Sequence, residues 1–161
     1  MVPGKKIRVL VVDDSLLARS MITKGLSAHP RIEVVGFAIN TLDAKRKIPA
    51  LTPDVVTMDV EMPGQNGIEF LKEYLPANPV PVILVSSLNL KVFDALAAGA
   101  VDFVRKPTTE DTQAAFVTAL AQKVLVASMS RVRVARPPAV SAAGAAAAAA
   151  PASASSPAGL L

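Results

Sequence analysis

Short apolar runs alternate along the chain with segments in which apolar residues recur at helical spacing. The runs are nearly continuous and rich in β-branched residues, which is typical of strands buried on both faces of a parallel sheet. They lie at Arg8–Val12, Glu33–Ala38, Val55–Met58, Pro81–Ser86 and Val101–Val104. Helical spacing covers Ser15–Ser27, Thr41–Leu51, Asn66–Leu75, Leu90–Ala98 and Thr109–Ser128. This strict alternation predicts an α/β fold, a doubly wound sheet with helices on both faces.

The pattern ends near residue 130, where the composition changes. Arg136-Pro137-Pro138 precedes a stretch dominated by Ala, Ser and Pro, without charge or amphipathic pattern. Alanine favours helix, but an isolated helix in water needs greater length or packing to persist. We therefore expect one domain over residues 1–130 and a disordered linker or tail over residues 131–161.

Charge and composition narrow the classes of function. The 161-residue chain has a net charge of +4, and the four bases after the last acid account for all of it: Lys123, Arg131, Arg133 and Arg136. The rest is balanced, which is a poor electrostatic footprint for nucleic acid, so we expect no direct nucleic-acid binding. The chain has no cysteine and no apolar stretch of bilayer length. We expect no membrane insertion and a cytoplasmic location.

Polar side chains stand at the ends of four predicted strands. Asp13 and Asp14 follow the first strand, Asp59 follows the third, Ser86 ends the fourth and Lys106 follows the fifth. Ligands of open α/β sheets bind beyond the carboxyl ends of the strands, so we expect these side chains to converge. Magnesium prefers hard oxygen ligands, and two adjacent acids need a compensating cation. The set predicts a site for Mg²⁺ and a phosphoryl group.

Asp59 is the candidate nucleophile, because a carboxylate can attack phosphorus and form an acyl phosphate. Lys106 would place a positive charge on one phosphoryl oxygen, and Ser86 a hydroxyl donor on another. Backbone donors near Glu61 and Ser87 would complete the cradle. Each feature alone has an ordinary explanation, since aspartates cap helices and serines form turns. The order and spacing of the whole set favour phosphoryl chemistry.

Four motifs carry these residues: Val11-Val12-Asp13-Asp14-Ser15, Met58-Asp59-Val60-Glu61-Met62-Pro63 with Asn66-Gly67, Val85-Ser86-Ser87, and Gly99 to Pro107. Together they resemble the receiver domains of two-component response regulators. Asp59–Pro63, Val85–Leu88 and Gly99–Val104 are most similar to the receiver of chemotaxis protein-glutamate methylesterases. The resemblance implies a flavodoxin-like, five-stranded parallel sheet of order 2-1-3-4-5 with five helices.

The resemblance also implies roles for the acidic residues. Asp59 would accept a phosphoryl group from the phosphohistidine of a chemotaxis histidine kinase. Asp14, Asp59 and the main-chain carbonyl of Glu61 would bind Mg²⁺ directly, and Asp13 would bind it through a water molecule. A chemoreceptor array and a methylesterase domain, on the same or a separate chain, are further implied partners.

Other residues are implied to report phosphorylation. Ser86 and Lys106 would contact the phosphoryl group, and Phe103 would reorient as Ser86 moves. Lys106-Pro107 would be a cis peptide, a form that only proline makes accessible at small cost. These changes would bias a surface made by the fourth helix, the fifth strand and the fifth helix.

The chain departs from the methylesterase pattern in three ways. The segment from Ser86 to Gly99 is a few residues shorter than is typical, which puts the output face in question. Gly64-Gln65-Asn66-Gly67 has Asn where Met-Asp-Gly is common. Nothing after residue 130 could supply a hydrolase domain or a Ser-His-Asp triad. The domain itself would catalyse only its own phosphorylation and dephosphorylation.

Several alternatives remain open. The chain could be the regulatory part of a methylesterase that ends in its linker, or a free-standing receiver that acts as a protein-binding switch or phosphate sink. A haloacid-dehalogenase-like phosphatase is disfavoured, because it needs Asp-x-Asp after the first strand, where this chain has Asp13-Asp14-Ser15. A degenerate receiver that only binds proteins is disfavoured by the complete acid, hydroxyl and lysine set.

Overall fold

The computed structural model describes residues 5–87, 92–109 and 112–135, and in these ranges strands and helices alternate without exception. The strands are β1 (Ile7–Val12), β2 (Ile32–Ala38), β3 (Val55–Asp59), β4 (Val82–Ser86) and β5 (Asp102–Arg105). The helices are α1 (Leu16–Ser27), α2 (Thr41–Leu51), α3 (Gly67–Tyr74), α4 (Val92–Ala97) and α5 (Gln113–Ala135). The α/β alternation predicted from the sequence is confirmed.

All five strands pair in parallel, in the order β2-β1-β3-β4-β5. This is the flavodoxin-like order that the resemblance implies. Strand β2 lies along one edge of β1, and the chain then returns to place β3 along the opposite edge of β1. The direction in which strands are added therefore reverses between β1 and β3. Ligands of doubly wound sheets bind outside this switch point. The first and third strands therefore place their C-terminal residues at the expected binding edge.

Two apolar layers cover the sheet, one on each face. Successive side chains of a strand point to opposite faces, so neighbours such as Val11 and Val12 enter different layers. One layer packs strand residues against α2, α3 and α4 and has Phe70 at its centre. The other packs them against α1 and α5 and includes Leu26 and Leu120. Burial on both faces explains why the strands are nearly continuous apolar runs.

Local sequence signals fix two helix starts beside the binding edge. Ser15 caps α1, and its side chain accepts a hydrogen bond from the Ala18 amide. Asn66 and Glu69 form a reciprocal capping box at the start of α3. Such caps satisfy amide groups that have no partner within the helix. They fix the points at which the loops after β1 and β3 enter α1 and α3.

The predicted end of the last helix was wrong. Helix α5 runs past the predicted end at Ser128 and continues to Ala135. The sequence has neither glycine nor proline in this stretch, and Arg136, which precedes Pro137, is disfavoured in helical geometry. The rest of the predicted tail lies outside the described residues. Within the described ranges, no helix has the length and apolar character that crossing a membrane requires.

Candidate phosphoryl and metal site

The predicted site residues do lie together at the carboxyl edge of the sheet. Asp13 follows β1, Asp59 ends β3, Ser86 ends β4 and Lys106 follows β5. These four strands are neighbours in the order β1-β3-β4-β5. The fold thus brings acids, a hydroxyl and a cation from distant parts of the sequence to adjacent strand ends.

Three aspartates form the centre of the site. Asp13, Asp14 and Asp59 each offer a carboxylate oxygen, and these oxygens all lie within 4.8 Å of one another. Asp13 and Asp59 are almost fully buried, with 1% and 2% of their surface exposed, whereas Asp14 is exposed. The Ser15 amide donates to Asp13 Oδ1 at 2.9 Å and fixes that carboxylate. The site is therefore two buried acids with a third at its mouth.

Lys106 is the nearest positive charge to the buried acids. Its Nζ lies 3.0 Å from Asp13 Oδ2 and 3.2 Å from Asp59 Oδ1. The Lys106 amide also donates to the Ser86 carbonyl at 2.7 Å, which ties the end of β4 to the residue after β5. The lysine is thus held by its main chain and is directed at the phosphoacceptor candidate by its side chain.

The environment of this site raises the pKa values of both Asp59 and Lys106. Desolvation is the main reason that the pKa of Asp59 rises from 3.8 to about 7, and the charge of Asp13 adds to it, while Lys106 opposes the rise. Burial lowers the pKa of Lys106, but its contacts with Asp13 and Asp59 outweigh that effect and raise it overall. The lysine stays charged, and Asp59 needs further positive charge to ionise fully at neutral pH.

The donor set fits a magnesium ion. Asp13 Oδ2 is buried and has an ion-pair contact with Lys106, but it has no hydrogen bond among the described residues. A buried carboxylate oxygen in that state can still accept a cation. Oxygen donors on three carboxylates are the ligand type that Mg²⁺ prefers, with waters completing an octahedron. Asp13, Asp14 and Asp59 could therefore hold the ion.

The loop after β3 reaches the site through a contact that the sequence did not predict. We expected only the main chain near Glu61 to take part, but its side chain accepts hydrogen bonds from Ser86 and Ser87. Partial burial raises the pKa of Glu61, yet these hydrogen bonds outweigh burial and lower it overall. The only sequence signal was an acid two residues beyond the candidate nucleophile.

Gly67 positions the phosphoacceptor loop. The first residue of α3 passes so close to β3 that a Cβ atom at Gly67 would lie 2.5 Å from the main-chain oxygen of Asp59. The Gly67 amide donates to the Val60 carbonyl at 3.0 Å. A glycine is therefore needed at this point for the loop to keep its path.

One other predicted residue, Phe103, lies on β5. Phe103, in β5, is half-buried and packs against the apolar layer on the α2–α4 side. Its predicted reorientation, the cis form of Lys106-Pro107 and the metal contact of the Glu61 carbonyl stay predictions.

Comparison with known proteins places this geometry in a family. Residues 9–118 match the response regulator receiver domain family. The protein-glutamate methylesterase/protein-glutamine glutaminase of Syntrophotalea carbinolica is 49% identical over 134 residues, which are 80% of this chain and 38% of that protein. A homologous enzyme from Nitrosomonas europaea is 40% identical over 145 residues, which are 86% and 40% of the two chains.

Solved structures agree with this assignment. The response regulator domain of Thermotoga maritima CheB superposes with a TM-score of 0.72 at 42% identity, covering 78% of this chain and 98% of that one. CheY from Borrelia burgdorferi, in a CheX-CheY-BeF₃-Mg²⁺ complex, gives a TM-score of 0.62 at 28% identity, with 79% and 90% covered. The chain spans well under half the length of the curated methylesterases cited above. It belongs to the response regulator receiver domain family and is CheB-like among chemotaxis response regulators.

Proposed function

We propose that this domain accepts a phosphoryl group on Asp59 from the phosphohistidine of a chemotaxis histidine kinase, with Mg²⁺ as cofactor. The single observation that carries the proposal is the buried Asp13–Asp59 pair, with Asp14 at its mouth and Lys106 within 3.2 Å of both buried acids. Buried like charges are unfavourable unless cations compensate them. A lysine and a divalent ion supply that compensation, and they also neutralise the charge of a transferring phosphoryl group.

The proposed roles follow from what each side chain can donate or accept. The carboxylate of Asp59 attacks phosphorus in line with the leaving imidazole nitrogen, and an acyl phosphate forms as the phosphorus–nitrogen bond breaks. Asp14, Asp59 and the Glu61 carbonyl would hold Mg²⁺, with Asp13 contributing through a water molecule, and the ion would neutralise negative charge on the phosphoryl group. Lys106 and the Ser86 hydroxyl then contact phosphoryl oxygens. No protein base is required, because a carboxylate carries no proton to remove once it is ionised.

The phosphorylated state would act through partners. Ser86 and Phe103 lie on adjacent strands, and their rearrangement would alter the surface formed by α4, β5 and α5. We propose that this surface regulates a methylesterase domain, on the same chain or another, in a cytoplasmic assembly with a kinase and a chemoreceptor array. We further propose that a domain of residues 1–130 performs this switching, with the remainder as a linker or tail. The likeness to methylesterase receivers supports this output.

Phosphoryl incorporation tests the proposal directly. Radiolabelled acetyl phosphate with Mg²⁺ should label the chain, and EDTA should prevent labelling. Asp59→Asn should abolish incorporation, because the amide nitrogen is not a nucleophile at neutral pH. Asp94→Asn, at an exposed position in α4, is a matched control that should label normally. Undiminished labelling of Asp59→Asn would overturn the assignment of the phosphoacceptor.

A further inference from the structure

The Glu61 carboxylate accepts hydrogen bonds from several donors at the end of β4. Its Oε1 accepts from the Ser87 amide at 2.9 Å and from the Ser87 hydroxyl at 2.8 Å. Its Oε2 accepts from the Ser86 hydroxyl. One carboxylate thus uses three donors of two adjacent residues. Hydrogen bonds to an ionised acceptor are stronger than hydrogen bonds between two neutral groups. We therefore expect this contact to contribute to the stability of the resting conformation.

The same two serines lie beside the proposed phosphorylation site in the sheet. Asp59 pairs with Val85 in the β3–β4 register, and the Val60 amide donates to the Val85 carbonyl at 2.9 Å. Ser86 therefore follows directly on the strand position opposite the phosphoacceptor. Its carbonyl also holds the amide of Lys106, the residue that contacts Asp59. A phosphoryl group on Asp59 would need the Ser86 hydroxyl that Glu61 engages.

We propose that the Glu61 carboxylate is an internal competitor of the phosphoryl group: it fills the Ser86–Ser87 anion site at rest and is expelled on phosphorylation. We call this contact the Glu61 latch. The inference rests on the proposed function of Asp59. It adds to it a side-chain role for Glu61 and a contact for the Ser87 hydroxyl.

Charge makes the two occupants mutually exclusive. A carboxylate and a phosphoryl group are both negative, so they repel each other at short distance. The Ser86 hydroxyl has one proton and can donate it to only one of them at a time. Glu61 is only half-buried, so its side chain can move to solvent without opening the core. The free energy of the Glu61 hydrogen bonds to Ser86 and Ser87 is then lost whenever a phosphoryl group binds. The latch therefore weakens the affinity of the resting protein for phosphoryl-like anions.

Three variants of Glu61 test the latch with beryllofluoride, a phosphoryl analogue, in the presence of Mg²⁺. Glu61→Ala removes the carboxylate, and Glu61→Gln removes its charge while preserving its shape. Glu61→Asp keeps the charge but is one methylene too short to reach the serines. We expect Glu61→Ala and Glu61→Asp to bind beryllofluoride about tenfold more tightly than the parent, a change equivalent to one net hydrogen bond. Glu61→Gln should lie between them and the parent.

The aspartate variant separates the latch from simple charge repulsion. If Glu61→Asp binds like the parent while Glu61→Ala binds more tightly, charge alone acts and the latch is refuted. Equal affinity in all variants also refutes it. The exposed Glu33, near the start of β2, provides the charge-matched control Glu33→Gln, which should leave affinity unchanged. Absence of beryllofluoride binding in every protein, the parent included, would overturn the proposed function itself.

A second readout requires no phosphoryl analogue. The Ser87 amide donates to Glu61, so amide hydrogen exchange measured by NMR should be slow at Ser87 in the parent protein. Exchange at Ser87 should accelerate about tenfold in Glu61→Ala and Glu61→Asp, in parallel with the gain in affinity. Unchanged exchange in both variants would show that the resting contact does not protect this amide, and would refute the latch independently of phosphorylation.

Discussion

Ionised Asp59 destabilises the fold when no cation is bound, so its neutralisation should stabilise the protein. The pKa of this buried acid rises from 3.8 to about 7. At about 1.4 kcal/mol for each pH unit, full ionisation costs at most about 4 kcal/mol of unfolding free energy, because solvent screening reduces the effect. Asparagine remains a buried polar group and loses the ion contact with Lys106, so we expect Asp59→Asn to recover about half of this, about 2 kcal/mol.

The sign of the effect fixes its pH dependence. Below the unfolded-state pKa of 3.8 the carboxyl is protonated in both states, and the raised pKa has its full stabilising value. That contribution is lost progressively as pH rises from 3.8 to about 7, so the wild-type protein weakens over this interval and the variant does not. The advantage of Asp59→Asn should therefore be larger at about pH 8.5 than at about pH 5.

Urea unfolding followed by far-ultraviolet circular dichroism measures this, because the chain has no tryptophan for fluorescence. The samples need EDTA, since a bound cation would offset the carboxylate charge. Asp94→Asn, which neutralises an exposed acid, should change stability little at either pH. An advantage of Asp59→Asn that is the same at both pH values, or a variant less stable than wild type at the higher pH, would refute the electrostatic account.

Two further predictions concern the neighbourhood of the phosphoacceptor. The buried hydroxyl of Thr57 has no hydrogen bond within the described residues, so the isosteric Thr57→Val should raise stability by about 1 kcal/mol in the same urea assay, and a loss would contradict this. Gly67→Ala should lower stability by about 2 kcal/mol, because its Cβ would overlap the Asp59 carbonyl. Its labelling by acetyl phosphate should also fall relative to the wild-type protein, because the phosphoacceptor loop would have to shift.

The sequence predicted the architecture because the local signals agree with one another. Each strand is a short apolar run that ends at a polar residue, and each intervening segment has helical spacing. The carboxyl ends of parallel strands share one edge of the sheet, so the meeting of Asp13, Asp59, Ser86 and Lys106 also followed from the alternation. Element ends were less predictable: β5 begins at Asp102 rather than at the predicted Val101.

The Glu61 contact could not be predicted in the same way. Glu61 and Ser86 are 25 residues apart, and the side chain of an acid in a loop can take many directions. Its choice of partners depends on the path of the chain from Asp59 to Gly67, which close backbone packing fixes. The unequal burial of Asp13 and Asp14 likewise depends on how α1 leaves β1, whereas the sequence shows only two adjacent acids.

The main-chain hydrogen bond between Lys106 and Ser86 joins the end of β4 to the residue that follows β5. Because the Lys106 amide is held 2.7 Å from the Ser86 carbonyl, displacement of either backbone carries the other with it. If Asp59 is phosphorylated as proposed, we therefore expect the end of β4 and the start of the segment after β5 to shift together rather than one at a time.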